Sequence, residues 1–249
     1  MKSRLTPQSQ INIEIDIEHL VKFYDEKEKD APKKPASSIT GVIGEDLISG
    51  LYKHYIENYK KEGKVTILQG NPKNGKWLDR WMVQENESQI ICYQTEIKNW
   101  SAHSLGGVSF HNLNDAEIKK KAINIFNDTF QNGDLKDPSV GKVLNDMKDK
   151  NIIEEYGVKR IRPLVCFWMP ICKDGEELNP FFEIKIEANS KNNTGRFTVL
   201  SFFSASIYFR VLLNEKKYSD KKNIISIEAP NIYERLNHLN NLVNIPNKK

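Results

Sequence analysis

The run SQIICYQTEIKNW, residues 88–100, decides how the rest of the chain is read. Its middle, Ile90 to Tyr93, is apolar without a break, which marks a strand covered on both faces. At its end, Glu96 and Lys98 stand at positions i and i+2, so a strand presents both on one face, and Gln94 shares that face. Two charges at the end of a buried strand need partners, because desolvating either ion is costly. The preceding run, WLDRWMVQ over residues 77–84, carries Asp79 in an equally apolar setting. If the two runs pair across the short connection ENES, the carboxylates of Asp79 and Glu96 converge. At about 4 Å apart they repel by roughly 4 kcal/mol at an effective dielectric of 20, so a cation or a proton is called for between them, and a divalent metal is the natural tenant. An all-oxygen set suits a hard ion, and Mg²⁺ accepts one or two carboxylates completed by water and substrate phosphate. That combination points to phosphoester chemistry.

Toward the N-terminus, KVTILQG (residues 64–70) reads as a strand and NPKNGK after it as a turn. From Thr40 to Tyr59, Ile43, Leu47, Ile48, Leu51, Tyr52, Tyr55, Ile56 and Tyr59 recur at helical spacing, with Ser38 or Thr40 as N-cap. Helical phase puts Glu45 at the edge of that stripe and Asp46 toward solvent. Residues 11–20 alternate Ile11, Ile13, Ile15 and Ile17 with polar neighbours, a half-buried strand, and residues 24–38 are a charged, Pro-containing connection.

Toward the C-terminus the pattern gives a helix over about 115–130, a second over about 139–156, and a strand at IRPLVCFWM, residues 161–169. Strands follow at FFEIKIEA and RFTVLSFF, then a helix over 205–213, with strand throughout 197–213 as the alternative. A strand IISIEA and a helix YERLNHLNNLV close the chain. The expected fold class is α/β, a mixed sheet flanked by helices. The organisation is one domain: a core over 39–170, an N-terminal strand and arm over 1–38, and an α/β extension over 171–249.

Asp79 followed by Glu96-Ile97-Lys98, with Glu45 on an upstream helix, resembles the PD-(D/E)XK nuclease superfamily; Leu78 stands where the name-giving Pro would be. The resemblance covers residues 39–100, and it implies a restriction-endonuclease-like sheet. It further implies that Asp79, Glu96 and the carbonyl of Ile97 ligate Mg²⁺, for which Mn²⁺ would substitute. Lys98 would orient and help deprotonate the attacking water, and Glu45 would hold a second metal through water or fix Lys98. Gln94 would be a neighbouring polar contact. Trp100 and His103, with the Gly106-Gly107 pair, fall in a segment able to approach a nucleic-acid backbone. For His103 and His111, solvated loop histidines are the plainer account.

A second triplet, Glu183-Ile184-Lys185, lies on an alternating strand with no upstream carboxylate in an apolar run, and reads as a solvated face. Lys119 to Lys121 read as a solvated helix face, Trp77, Trp81 and Trp168 as core, and Cys92, Cys166 and Cys172 as small buried hydrophobes. The net charge of +4 is compatible with a polyanionic partner without establishing one. No apolar run reaches membrane-spanning length and the N-terminus lacks a signal-peptide core, so the expectation is a cytoplasmic protein with no membrane contact. The expected function is cleavage of DNA, in a prokaryotic defence or restriction setting, with a separate helicase or sensor subunit as partner. The rival is a non-catalytic binding or scaffold subunit that keeps the nuclease fold, and RNA remains open as substrate.

Overall fold

The computed structural model describes residues 12–18, 35–70, 72–73, 76–98, 114–131, 134–137, 140–145, 150–174, 177–186, 197–214, 224–229, 231–232 and 234–235. In chain order, β1 spans Asn12–Asp16, and α1 spans Pro35–His54 and runs on through a π-helical turn, Tyr55–Lys60. Next come β2 (Lys64–Gln69), a small ribbon of β3 (Pro72–Lys73) and β4 (Lys76–Trp77), β5 (Arg80–Glu85) and β6 (Ile90–Lys98). Then follow α2 (Asp115–Thr129), a hairpin of β7 (Phe130–Gln131) and β8 (Asp134–Leu135), a 3₁₀ turn (Gly141–Leu144) and α3 (Lys150–Tyr156). The remaining elements are β9 (Arg160–Phe167), β10 (Phe181–Lys185), β11 (Val199–Ser204), α4 (Ala205–Asn214) and β12 (Ile224–Glu228).

The apolar runs become the inner strands of one mixed, six-stranded sheet in the order β10-β11-β9-β6-β5-β2. β6 lies parallel to β9 and β9 to β11, whereas β2, β5 and β6 form an antiparallel meander. The fold is therefore mixed α/β with helices on the sheet. Because side chains alternate, each strand feeds two cores. On one face Leu47, Ile48, Leu51, Tyr52 and Ile56 of α1 meet Val65, Met82, Tyr93, Ile97 and Phe203. On the other, Trp81, Cys92, Val165, Phe167 and Phe202 meet Phe126, Val143, Leu144 and Ile152. Burial of both faces explains why β6 reads as continuously apolar.

β10 and β11, expected as part of an extension, belong to this same sheet, with β11 parallel to β9. β1 pairs antiparallel with β12, Ile13 opposite Ile227 and Ile15 opposite Ile225, in a separate two-stranded ribbon. That ribbon covers the outward side of α1. Gly50 permits the close approach, since a Cβ there would lie 2.3 Å from the Glu228 carbonyl oxygen.

Three local expectations need correction or resolution. The first helix starts at Pro35, so Ser38 and Thr40 lie inside it and neither is its N-cap; Pro suits a first helical position, where its missing N–H has no partner to lose. The helix expected over 139–156 is instead the 3₁₀ turn followed by α3. Asn145 leaves the turn in extended conformation, and the carbonyls of Val143 and Asn145 accept from the side chain of Gln94 rather than from a continuing helix. Residues 199–214 resolve into strand then helix. Of the closing helix only Glu234 and Arg235 lie within the described residues. No described helix is long and apolar enough to cross a membrane.

Candidate functional site

The ladder between β5 and β6 ends at the pair Arg80–Thr95. One residue further, Asp79 takes over with its side chain: its Oδ2 accepts the Ile97 N–H at 2.7 Å. Since the N–H and C=O of one strand residue face the same neighbour, the Ile97 carbonyl also faces the Asp79 side. Asp79 is seated by its backbone as well, its carbonyl accepting the Gly70 N–H at 3.3 Å. Only glycine fits there, because a Cβ on residue 70 would lie 1.6 Å from the Leu78 carbonyl oxygen.

Glu96 is 3% exposed, and its Oε1 lies 3.1 Å from Nζ of Lys98. Its Oε2 pairs with the ammonium of Lys142, which also stands 3.4 Å from Oδ1 of Asp79. Two carboxylates and two ammonium groups thus converge at the end of β6. Burial holds the Lys98 ammonium below the ordinary lysine value, against the pull of the Asp137 and Asp79 charges, which favour the proton. Behind them, burial pushes the thiol of Cys166 far up, with the Asp79 charge adding to the effect, so it stays a neutral thiol. Cys92 and Cys172 are likewise buried and outside any disulfide.

Lys142 rides on the 3₁₀ turn, and Gln94 fixes that turn. Fully buried, Gln94 donates from Nε2 to the carbonyls of Val143 and Asn145, the latter at 2.7 Å. Val140, Val143 and Leu144 anchor the turn in the core. The face shared by Gln94, Glu96 and Lys98 therefore has a division of labour: Gln94 holds the element that brings a second cation to Glu96.

On the opposite face the helical-phase expectation for α1 is overturned. Asp46 is 0% exposed, whereas the Glu45 side chain is 29% exposed. Asp46 Oδ1 lies 2.6 Å from Nη2 of Arg80, and its Oδ2 lies 3.3 Å from Nε of Arg235. Glu45 pairs more loosely with Arg80, at 3.5 Å, and stands 3.1 Å from Arg235. The reason is that Arg80, reaching from β5, and Arg235 close over the side of α1 away from its apolar stripe, so that side is not solvent. Arg80 offsets the buried charge of Asp46 and donates from Nη1 to the Asp79 carbonyl at 2.7 Å. The ion pairs of Glu45 are thus with Arg80 and Arg235, while Asp79 and Glu96 meet at Lys142 and Glu96 also holds Lys98.

Trp100, His103 and His111 lie outside the described residues, as does the side chain of Trp77. Trp81 and Trp168 are core. Sequence reading missed Lys142, Arg80, Asp46 and Arg235. The available signal was Arg80 itself, the second charge in the apolar run WLDRWMV, which demanded a buried anion.

Comparison with family models, curated proteins and solved structures finds no match for this chain. The fit of a divalent ion therefore rests on the donor atoms. Oδ1 of Asp79 and Oε2 of Glu96 face one cationic nitrogen, and the Ile97 carbonyl faces the same side. Among the described residues no group of three or more His, Cys, Asp or Glu side chains gathers. The protein would thus offer two carboxylates and one carbonyl, the sparse oxygen set that Mg²⁺ accepts when water and phosphate complete its shell.

Proposed function

We propose that this chain is a Mg²⁺-dependent nuclease of the PD-(D/E)XK type that hydrolyses DNA phosphodiesters, acting in the cytoplasm in prokaryotic defence or restriction beside a separate helicase or sensor subunit. The observation that carries the reading is the convergence of Asp79, Glu96 and Lys98 at the end of β6, locked by the bond from the Ile97 N–H to Asp79. Asp79, Glu96 and the Ile97 carbonyl would hold Mg²⁺, or Mn²⁺ in its place. When bound, such an ion acidifies water and neutralises charge developing on the phosphate.

Lys98 does the proton work. Its Nζ stands beside Glu96, and burial makes its proton easier to lose than that of an exposed lysine. It orients the attacking water and accepts its proton as the oxygen adds to phosphorus; the bond from phosphorus to the leaving sugar oxygen breaks, and that oxygen takes a proton from solvent. Glu96 keeps the amine in place, and Asp79, tied to the backbone of β6, keeps the two carboxylates in register. Rigid attachment of each group to a buried strand supplies the positioning on which the rate depends.

One observation favours a second reading. The ammonium of Lys142 already neutralises both carboxylates, as it would in a scaffold subunit that keeps the fold without catalysis. The deciding assay is nicking or linearisation of plasmid DNA, with single-stranded RNA in parallel, in Mg²⁺, Mn²⁺, Ca²⁺ or excess chelator. The nuclease reading expects cleavage in Mg²⁺ and Mn²⁺ and binding without cleavage in Ca²⁺. Cleavage that persists in chelator removes the metal from the reading, and nucleic-acid binding without cleavage under any metal hands the case to the scaffold.

A further inference from the structure

A charge count at the end of β6 raises a question that the nuclease reading leaves open. Asp79 and Glu96 contribute two negative charges; Lys98 and Lys142 contribute two positive charges. These four charges balance one another, with the Asp137 charge acting on Lys98 besides, and a divalent ion entering between the carboxylates would meet the Lys142 ammonium at ion-pair distance from the same two oxygens. Like charges that close in a site 3% exposed at Glu96 repel strongly. The ion and the ammonium cannot share the place.

The two lysines are held differently. Lys98 extends from β6 itself and contacts Oε1 of Glu96. Lys142 reaches in from the 3₁₀ turn and touches both Oε2 of Glu96 and Oδ1 of Asp79. Its backbone is pinned by Gln94 and by the buried side chains on either side, whereas its side chain is 20% exposed and has a path outward. A flexible four-carbon stem on a fixed base is suited to swing without moving the fold.

We propose that Lys142 is a built-in substitute for the divalent ion: its ammonium bridges Asp79 and Glu96 in the metal-free protein, and metal entry displaces it into solvent, where it faces the phosphate backbone. This rests on the nuclease reading for the identity of the ion. Lys142 thereby keeps the two carboxylates from repelling each other before metal arrives, and it sets a threshold, because metal binds only by displacing a cation that is already paired.

The test is Mn²⁺ binding by calorimetry, with thermal melting in chelator, for the wild-type chain, Lys142→Met and Lys142→Gln. The glutamine keeps a donor near both carboxylates and so guards against a methionine variant that fails to fold. The expected result is that both variants melt lower than wild type in chelator, gain more from Mn²⁺ in melting temperature, and bind Mn²⁺ at least tenfold more tightly. Equal Mn²⁺ affinity in wild type and variants overturns the proposal, since Lys142 would then not stand in the ion's way. Binding by the variants alone also overturns it, making Lys142 a permanent replacement and favouring the scaffold. If folded wild type and variants all fail to bind Mn²⁺, the metal site itself is wrong and both readings fall together.

Discussion

The chain contains the same triplet twice, and the two copies live differently. Glu96-Ile97-Lys98 ends β6, an interior strand, with its glutamate sealed from water and its charges answered by Lys142 and by each other. Glu183-Ile184-Lys185 ends β10, the outermost strand of the sheet on its side. There Ile184 alone points inward, the Glu183 side chain is 34% exposed, and its partners are the Arg162 guanidinium and the Ser201 hydroxyl, the latter donating at 3.1 Å. The same three letters make a buried charge cluster in one place and a wet surface in the other. What separates them is the cost of burying charge: water screens the second copy, whereas the first must assemble protein partners.

The largest contrast is expected in catalysis. Glu96→Ala and Lys98→Ala should lower DNA cleavage by roughly 10² to 10³-fold or more, as loss of groups acting on the transition state does. Glu183→Ala and Lys185→Ala should stay within about twofold of wild type in the same plasmid assay. Similar losses at both triplets would erase the distinction. Melting in chelator sharpens it further, because Glu96→Ala removes the carboxylate that Lys98 and Lys142 share, leaving Asp79 as the remaining ion-pair partner of Lys142, and should cost about 3 kcal/mol. Mutual repulsion of the carboxylates alone would have suggested the opposite sign; Lys142 reverses it.

Next in size is a second pair of adjacent carboxylates, one buried and one half-exposed. Asp46→Asn leaves Arg80 without its closest anion and should destabilise by about 3 kcal/mol, against about 1 kcal/mol or less for Glu45→Gln. Denaturant midpoints read both, and equal effects would show that burial does not set the cost here.

A buried imidazole extends the contrast to a group that avoids charge. His54 is buried beside Tyr208, its Nδ1 2.7 Å from the hydroxyl, and burial lowers its pKa to about 4. Below pH 6.5 the unfolded chain takes up a proton that the folded chain refuses. Stability should therefore fall as the pH drops from about 6.5 to about 4 and level off below, by about 3 kcal/mol in all. His54→Gln should flatten that part of the profile; an unchanged slope would assign it to other groups.

The smallest effect belongs to the exposed triplet itself. Removing Arg162 from Glu183, as Arg162→Ala, should cost under about 1 kcal/mol by thermal melting, since the pair is open to water.

Much of this was legible in the sequence because it depends on period and local chemistry. The β5–β6 meander follows from two apolar runs and a turn in which Asn86 Oδ1 accepts the N–H groups of Ser88 and Gln89. The shared face of Gln94, Glu96 and Lys98 follows from alternation alone. Lys142 was not legible: it lies more than 40 residues from Glu96, and only the tie between Gln94 and the 3₁₀ turn brings it near. The burial of Asp46 was hidden for a related reason. Helical phase shows which side of α1 carries its apolar stripe, but Arg80 and Arg235, both distant in the chain, close over the other side, and no window of neighbouring residues contains that fact.

The β1–β12 ribbon imposes a schedule on biosynthesis. Residues 12–16 leave the ribosome early, yet their pairing partners at 224–228 emerge some two hundred residues later. Every strand of the six-stranded sheet is translated in between, so the sheet can assemble while β1 still waits. Closing a loop of that length costs about 5 kcal/mol in chain entropy, a term offset only when α1 already offers a surface to dock on. The outward side of α1, where Gly50 meets β12, is thus shut away from water only after the sheet has been translated.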